Sequence, residues 1–171
     1  CSRGDHTATA TLTAADAVYS GEAVGTAAVT YSDGWLGGEL TVTYANNVSA
    51  GTATATVTKA GATAAVRFEI AKCADCTLAL GSLNQTIERL SPVTVTVSPK
   101  DPTARTTVEY FVNDAWTTEP PTQLGTYPVR ARVTASENLA LSESYTEATL
   151  TISKDLPPIE VIYNADGSIT V

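Results

Sequence analysis

Gly51-Thr52-Ala53-Thr54-Ala55-Thr56-Val57-Thr58 is the run that decides the fold. Ala53, Ala55 and Val57 take one set of alternate positions and the threonines take the other. That two-residue period puts methyl groups on one face of a strand and hydroxyls on the opposite face. Thr and Val are stiff at χ1 and suit a pleated surface better than a helix. Past a turn at Gly61, Ala65, Phe68 and Ile70 lead to Lys72. Residues 60–72 are rich in Ala but have neither a helix cap nor an apolar stripe at helical spacing, so a second strand is expected there. Upstream, Leu40, Val42 and Tyr44 share a strand face and lead into the loop Asn46-Asn47. Ala27, Val29 and Tyr31 define a strand closed by Asp33-Gly34 and Gly37-Gly38. Tyr19-Ser20-Gly21 reads as a turn, and His6 to Leu12 alternates again.

The second half repeats this order. Thr77-Leu78-Ala79-Leu80 opens a strand, Val93, Val95 and Val97 define the next, and Pro99-Lys100-Asp101-Pro102 turns the chain. Val108, Tyr110 and Val112 match Leu40, Val42 and Tyr44 in character and in place. Gly125 to Val133 matches the run from Gly51, and Ala148 to Lys154 matches Val66 to Lys72. Two copies of one unit fit 171 residues better than one large domain. The inward Ala53 and Ala55, set against Tyr127 and Val129, predict a thinner and less stable first core.

The run Leu40 to Asn47 followed by Ala50 to Val57 resembles the MBG or YDG family of bacterial repeats. The second copy does so through Leu83-Asn84-Gln85-Thr86, Pro92-Val93-Thr94-Val95 and Leu124-Gly125-Thr126-Tyr127. Tyr19-Ser20-Gly21 keeps the family's Tyr-Asp-Gly in part, and Ile87-Glu88-Arg89 departs from it. The resemblance implies small immunoglobulin-like folds strung in tandem on bacterial surface proteins, adhesins and filaments, without catalytic residues. The expected architecture is all-β: two tandem small immunoglobulin-like β-sandwich modules at 1–72 and 73–154, then a linker with a C-terminal hairpin or strand extension at 155–171. In that extension Ile159 to Tyr163 and Ser168 to Val171 read as strands around the turn Asn164-Ala165-Asp166-Gly167.

Composition narrows the function. The hydrophobic fraction is 43%, but only 6% of residues are aromatic and none is Met, so the cores are thin. A net charge of −8 with ten scattered basic residues removes the electrostatic basis for nucleic-acid binding. No run approaches the about 20 apolar residues that a spanning helix needs. The chain opens on Cys1, so a targeting segment is expected outside it, with an extracellular or cell-surface location.

Few residues offer chemistry. Cys73 and Cys76 flank the boundary between the copies. Their spacing suits a disulfide stiffening the hinge, with reduced thiols, a metal half-site or a redox pair as alternatives. Cys1 is a candidate for lipidation or an intermolecular disulfide, or marks a fragment boundary. Arg3-Gly4-Asp5 spells an adhesion tripeptide that also arises by chance. Trp35 and Trp116, expected in loops, either stack on sugars or cover the edges of their own cores. Lys59, Lys72, Lys100 and Lys154 are isopeptide candidates or solvated lysines. His6 is the one histidine, so no Ser-His-Asp set can be assembled. Glu137, Glu143 and Glu147 have no reason to converge, and Asn164 and Asp166 read as a turn before they read as a calcium site. No catalytic residue, metal or cofactor is expected.

The expected function is therefore a non-catalytic structural or adhesive segment of a bacterial surface protein. In a fibre version, Ile159 to Val171 adds strands to the sheet edge of a neighbouring repeat or subunit. Partners would be such neighbours, host glycans or host surface proteins, with no nucleic acid. The alternative is a carbohydrate-binding accessory module of an exported hydrolase.

Overall fold

The computed structural model describes residues 8–141 and 145–155, together with the backbone of 162–163 and 169–170. The described residues form strands and loops only, with no helix. The first half contains β1 (Ala10–Ala14), β2 (Ala17–Val18), β3 (Ala27–Tyr31), β4 (Val42–Ala45), β5 (Gly51–Lys59) and β6 (Ala62–Ala71). Strands β1 and β3 pair antiparallel, and a second sheet runs β2-β6-β5-β4. The second half contains β7 (Thr77–Gly81), β8 (Asn84–Thr86), β9 (Thr94–Ser98), β10 (Arg105–Val112), β11 (Ala115–Thr117), β12 (Gly125–Ala135) and β13 (Thr146–Ser153). Here β7 pairs with β9, and the larger sheet runs β8-β13-β12-β10-β11. Finally β14 (Ile162–Tyr163) and β15 (Ile169–Thr170) pair with each other in an antiparallel hairpin. The strands expected within Ile159 to Val171 otherwise fall outside the described residues.

The two halves follow one strand order. In both halves a short second strand lies parallel to the last one, Ala17 opposite Ile70 and Gln85 opposite Ile152. The next N–H donates across in each case, Tyr19 to Ala71 O and Ile87 to Ser153 O. Gly51 faces Ile70 as Gly125 faces Ile152, and both glycines have positive φ, a conformation that residues with a side chain rarely adopt. The second sheet gains one strand, β11, on the outer edge of β10.

Two sequence readings need correction. Tyr44 pairs with Ala55 and Tyr110 with Val129, so Tyr110 is the counterpart of Tyr44, two residues away from the match expected for β4. A shift of two keeps every side chain on its face, so alternation alone does not detect it. Trp116 lies on strand β11, not in a loop, because Asn113 and Asp114 both adopt positive φ and fold a two-residue hairpin turn ahead of it.

Two cores follow. The first gathers Tyr19, Ala53, Ala55, Phe68, Ile70 and Leu139, and the second Val93, Tyr110, Val129, Leu150 and Ile152. The thin alanine face of β5 is compensated across the sheet. Phe68 stands opposite Ala53, whereas Leu150 stands opposite Tyr127, so each pair holds one ring. Tyr44 adds an edge-on contact to Phe68 at 6.3 Å between ring centroids.

Candidate functional site

Leu139 belongs by sequence to the second half, yet it is fully buried in the first core. It rides on the connection between β12 and β13, which spans residues 136–145 where the corresponding β5–β6 connection is only Ala60 and Gly61. Residues 136–140 of the longer connection fold back onto the first repeat and give the junction between the halves a connected polar site.

The junction starts from Asp101, which is buried. Its carboxylate accepts the Thr103 N–H at 2.9 Å, the Thr103 hydroxyl at 2.8 Å, the Asn138 amide at 2.8 Å and the Ser136 hydroxyl. Burial by itself raises the carboxyl pKa, but the hydrogen bonds from Ser136, Asn138 and Thr103 outweigh it and hold the group at about 2, against an ordinary 3.8. Ser136 Oγ in turn accepts the N–H groups of Asn138 and Leu139 at 3.0 and 2.7 Å, while Thr103 Oγ1 accepts that of Glu137 at 3.0 Å. Glu137, Asn138 and Leu139 thereby have their N–H groups satisfied while Leu139 is presented as an aliphatic tip, as buried backbone must be.

Contacts then cross to the first repeat. Ala50 N donates to Asn138 Oδ1 at 2.9 Å. Cys73 N donates to Asn138 O at 3.0 Å and Ala140 N to Cys73 O at 2.9 Å, a bridge on either side of Leu139. Tyr19 Oη donates to Lys100 O at 2.8 Å. Burial, then the nearby Asp101 and Glu22 carboxylates, push the Tyr19 phenol pKa up, so it remains a donor. Lys72 Nζ donates to Ser136 O at 3.1 Å.

The hinge is therefore braced by a hydrogen-bonded loop, and the expected disulfide is not formed. Cys73 and Cys76 are free thiols, each half-buried against the first core. Cys73 has its backbone engaged on both sides by residues 138 and 140, which fixes it on the strand extension where it meets Leu139.

The remaining candidates are scattered. Trp35 sits in the β3–β4 loop, with Nε1–H donating to Gly38 O at 2.9 Å and its ring 5.3 Å from that of Tyr31. The Arg130 guanidinium lies 4.0 Å from the Trp116 ring centroid and 3.9 Å from that of Tyr145, and pairs with Glu109 at 2.8 Å. One face of Trp116 is thus covered by a cation. Lys59 and Lys154 are exposed, and Lys100 meets Tyr19 through its carbonyl. Glu137 and Glu147 are exposed and lie in different elements. Cys1, Arg3, Gly4, Asp5, His6, Glu143, Asn164 and Asp166 lie outside the described residues. Among the described residues no three His, Cys, Asp or Glu side chains are grouped as a metal would need. No described helix is long and apolar enough to cross a membrane.

Sequence reasoning missed Asp101, Ser136, Asn138, Leu139 and the buried ring of Tyr19. The available signal was the mismatch in loop length between the two copies, since a ten-residue connection where its counterpart has two needs a reason. Comparison with protein-family models and with curated proteins finds no match to this chain.

Proposed function

We propose that this chain is a non-catalytic, extracellular structural or adhesive segment of a bacterial surface protein, made of two tandem immunoglobulin-like modules held as one rigid spacer. The observation that carries the reading is Leu139: a side chain of one repeat completes the core of the other, on a loop whose polar groups are satisfied across the boundary. Two independent domains on a flexible linker have no use for such a brace. A segment that transmits force or sets distance requires one. The twofold repeat of sheet order and the resemblance of Leu40 to Val57 to bacterial surface repeats point the same way. The accessory carbohydrate-binding reading is less well supported, because Arg130 covers a face of Trp116 and Trp35 is folded against Tyr31.

The test is NMR relaxation of the whole chain. A rigid spacer gives both repeats one common anisotropic tumbling time. Two different tumbling times would sink the proposal. A glycan array provides the second arm, since sugar binding lost on Trp35→Ala or Trp116→Ala would favour the accessory module.

A further inference from the structure

The path of the chain through each repeat decides how a pull along it is felt. Strand β1 starts at Ala10, which shares a shallow hollow with Trp35, Lys59 and Ala62, and β2 carries the chain on to Tyr19 at the junction. Strand β6 runs the same way, from Ala62 to Ala71, and lies parallel to β2 with Ala17 opposite Ile70 and Val18 opposite Ala71. The chain thus enters the first repeat at one end and leaves it at the other. The second repeat follows suit: β7 opens it at Thr77, β13 ends at Ser153, and β8 lies parallel to β13 with Asn84, Gln85 and Thr86 opposite Thr151, Ile152 and Ser153.

Pulling on the two ends of such a repeat slides the parallel strands past one another. Their evenly spaced hydrogen bonds are then strained together, whereas strands drawn apart from one end give up their bonds in succession. The antiparallel pairs β1–β3 and β7–β9 are loaded along their length in the same way, because β1 and β7 are drawn along their own axes.

The repeats match in that antiparallel pair, five residues long in each, and differ in the parallel one. Strand β2 pairs over two residues, with Tyr19 N–H donating to Ala71 O at 2.9 Å and Glu69 N–H to the exposed Asp16 carboxylate at 2.8 Å. Strand β8 pairs over three, with Thr151 N–H donating to Leu83 O at 2.7 Å, Ile87 N–H to Ser153 O at 2.8 Å and Ser153 Oγ to Gln85 O at 3.3 Å. The buried Gln85 side chain pins this strand: Nε2 donates to Ser82 O at 2.7 Å and Ser91 O at 2.8 Å, and Oε1 accepts Ser91 N–H at 2.9 Å. Ala17 holds the corresponding place in β2 and has no polar group to offer. Breaking buried bonds costs more than breaking exposed ones, which water replaces at once.

We infer that the chain bears tension along its length, each repeat resisting through shear of its parallel terminal strands, and that the first repeat yields before the second. The chain then lengthens in two steps, and Leu139 loses its seat when the first repeat opens. This rests on the spacer reading and gives the spacer its load.

Optical-tweezers pulling of the full chain tests it. For the geometry, Cys1, Cys73 and Cys76 are replaced by serine, and handles are attached at pairs of new cysteines on exposed residues. Handles at Thr77→Cys and Lys154→Cys shear β8 against β13. Handles at Glu88→Cys and Lys154→Cys, both past the same end of that pair, open it from one side. The first arrangement should need at least about twice the force of the second, since its bonds act together. Equal forces, or a lower force in the first, overturn the shear claim. For the order, the unaltered chain is held by tags at its termini. At about 3.4 Å per residue it should extend by about 20 nm and then, at higher force, by about 25 nm. The longer step first, or a single step, overturns the order. Gln85→Ala should lower the force of the longer step alone, and no change in that step removes Gln85 as its cause. A chain with one common tumbling time that fails these tests loses only its load, whereas separate tumbling of the repeats removes the spacer reading itself.

Discussion

Replacing Leu139 by Ala removes three buried carbons from a side chain that is 0% exposed and surrounded by Tyr19, Ala53, Ala55, Phe68 and Ile70. At about 0.8 kcal/mol per methylene the transfer loss is about 2.4 kcal/mol, and the unfilled cavity brings the total to about 3–4 kcal/mol. The loss should fall on the first repeat, although the mutation lies in the second, because the contacts of Leu139 are there. Each repeat has its own reporter, Trp35 in the first and Trp116 in the second. Urea titrations of Trp35→Phe and Trp116→Phe backgrounds therefore follow one repeat at a time. With a slope near about 1.5 kcal/mol per molar for a small domain, the Trp35 midpoint should fall by about 2 M and the Trp116 midpoint by much less. Leu141→Ala serves as the control, since Leu141 is 56% exposed and should change stability by no more than about 0.5 kcal/mol. Equal displacement of both transitions, or a Trp116 transition displaced the more, would refute the claim that Leu139 belongs to the first core.

Asp101 predicts an acid limit: its pKa is about 2 folded and 3.8 ordinarily, so its contribution is complete above about pH 4 and is lost as pH falls toward 2. By that difference it amounts to about 2 kcal/mol. Urea midpoints at pH 5 and pH 2.5 should differ by less in Asp101→Asn, and an identical pH dependence in the variant would remove Asp101 from the account. Ala60 has a φ of +49°, a left-handed conformation that costs an L-residue with a Cβ about 1 kcal/mol. Ala60→Gly should thus raise the Trp35 midpoint modestly, and a fall would show that the turn relaxes otherwise.

Much of the architecture was legible in the chain itself. Alternation from Thr52 to Thr58 and the apolar positions Phe68 and Ile70 specify strands and their inward faces, because side chains alternate sides along any strand. The same succession of patterns, glycine run to final lysine, is read twice along the sequence, and the two halves follow one strand order. These are local or periodic properties, and a chain displays them before it folds. What only tertiary structure decided is how the units meet. Ala50 and Asn138 are 88 residues apart, and Asp101 and Asn138 are 37 apart. Asp101-Pro102-Thr103 looks like any solvated turn until Ser136 and Asn138 close over it. A buried polar network has no period, and its members acquire partners only when distant loops reach the same place. For the same reason the thiols of Cys73 and Cys76 suggested a covalent brace, while the brace that formed is a leucine and a carboxylate from elsewhere in the chain.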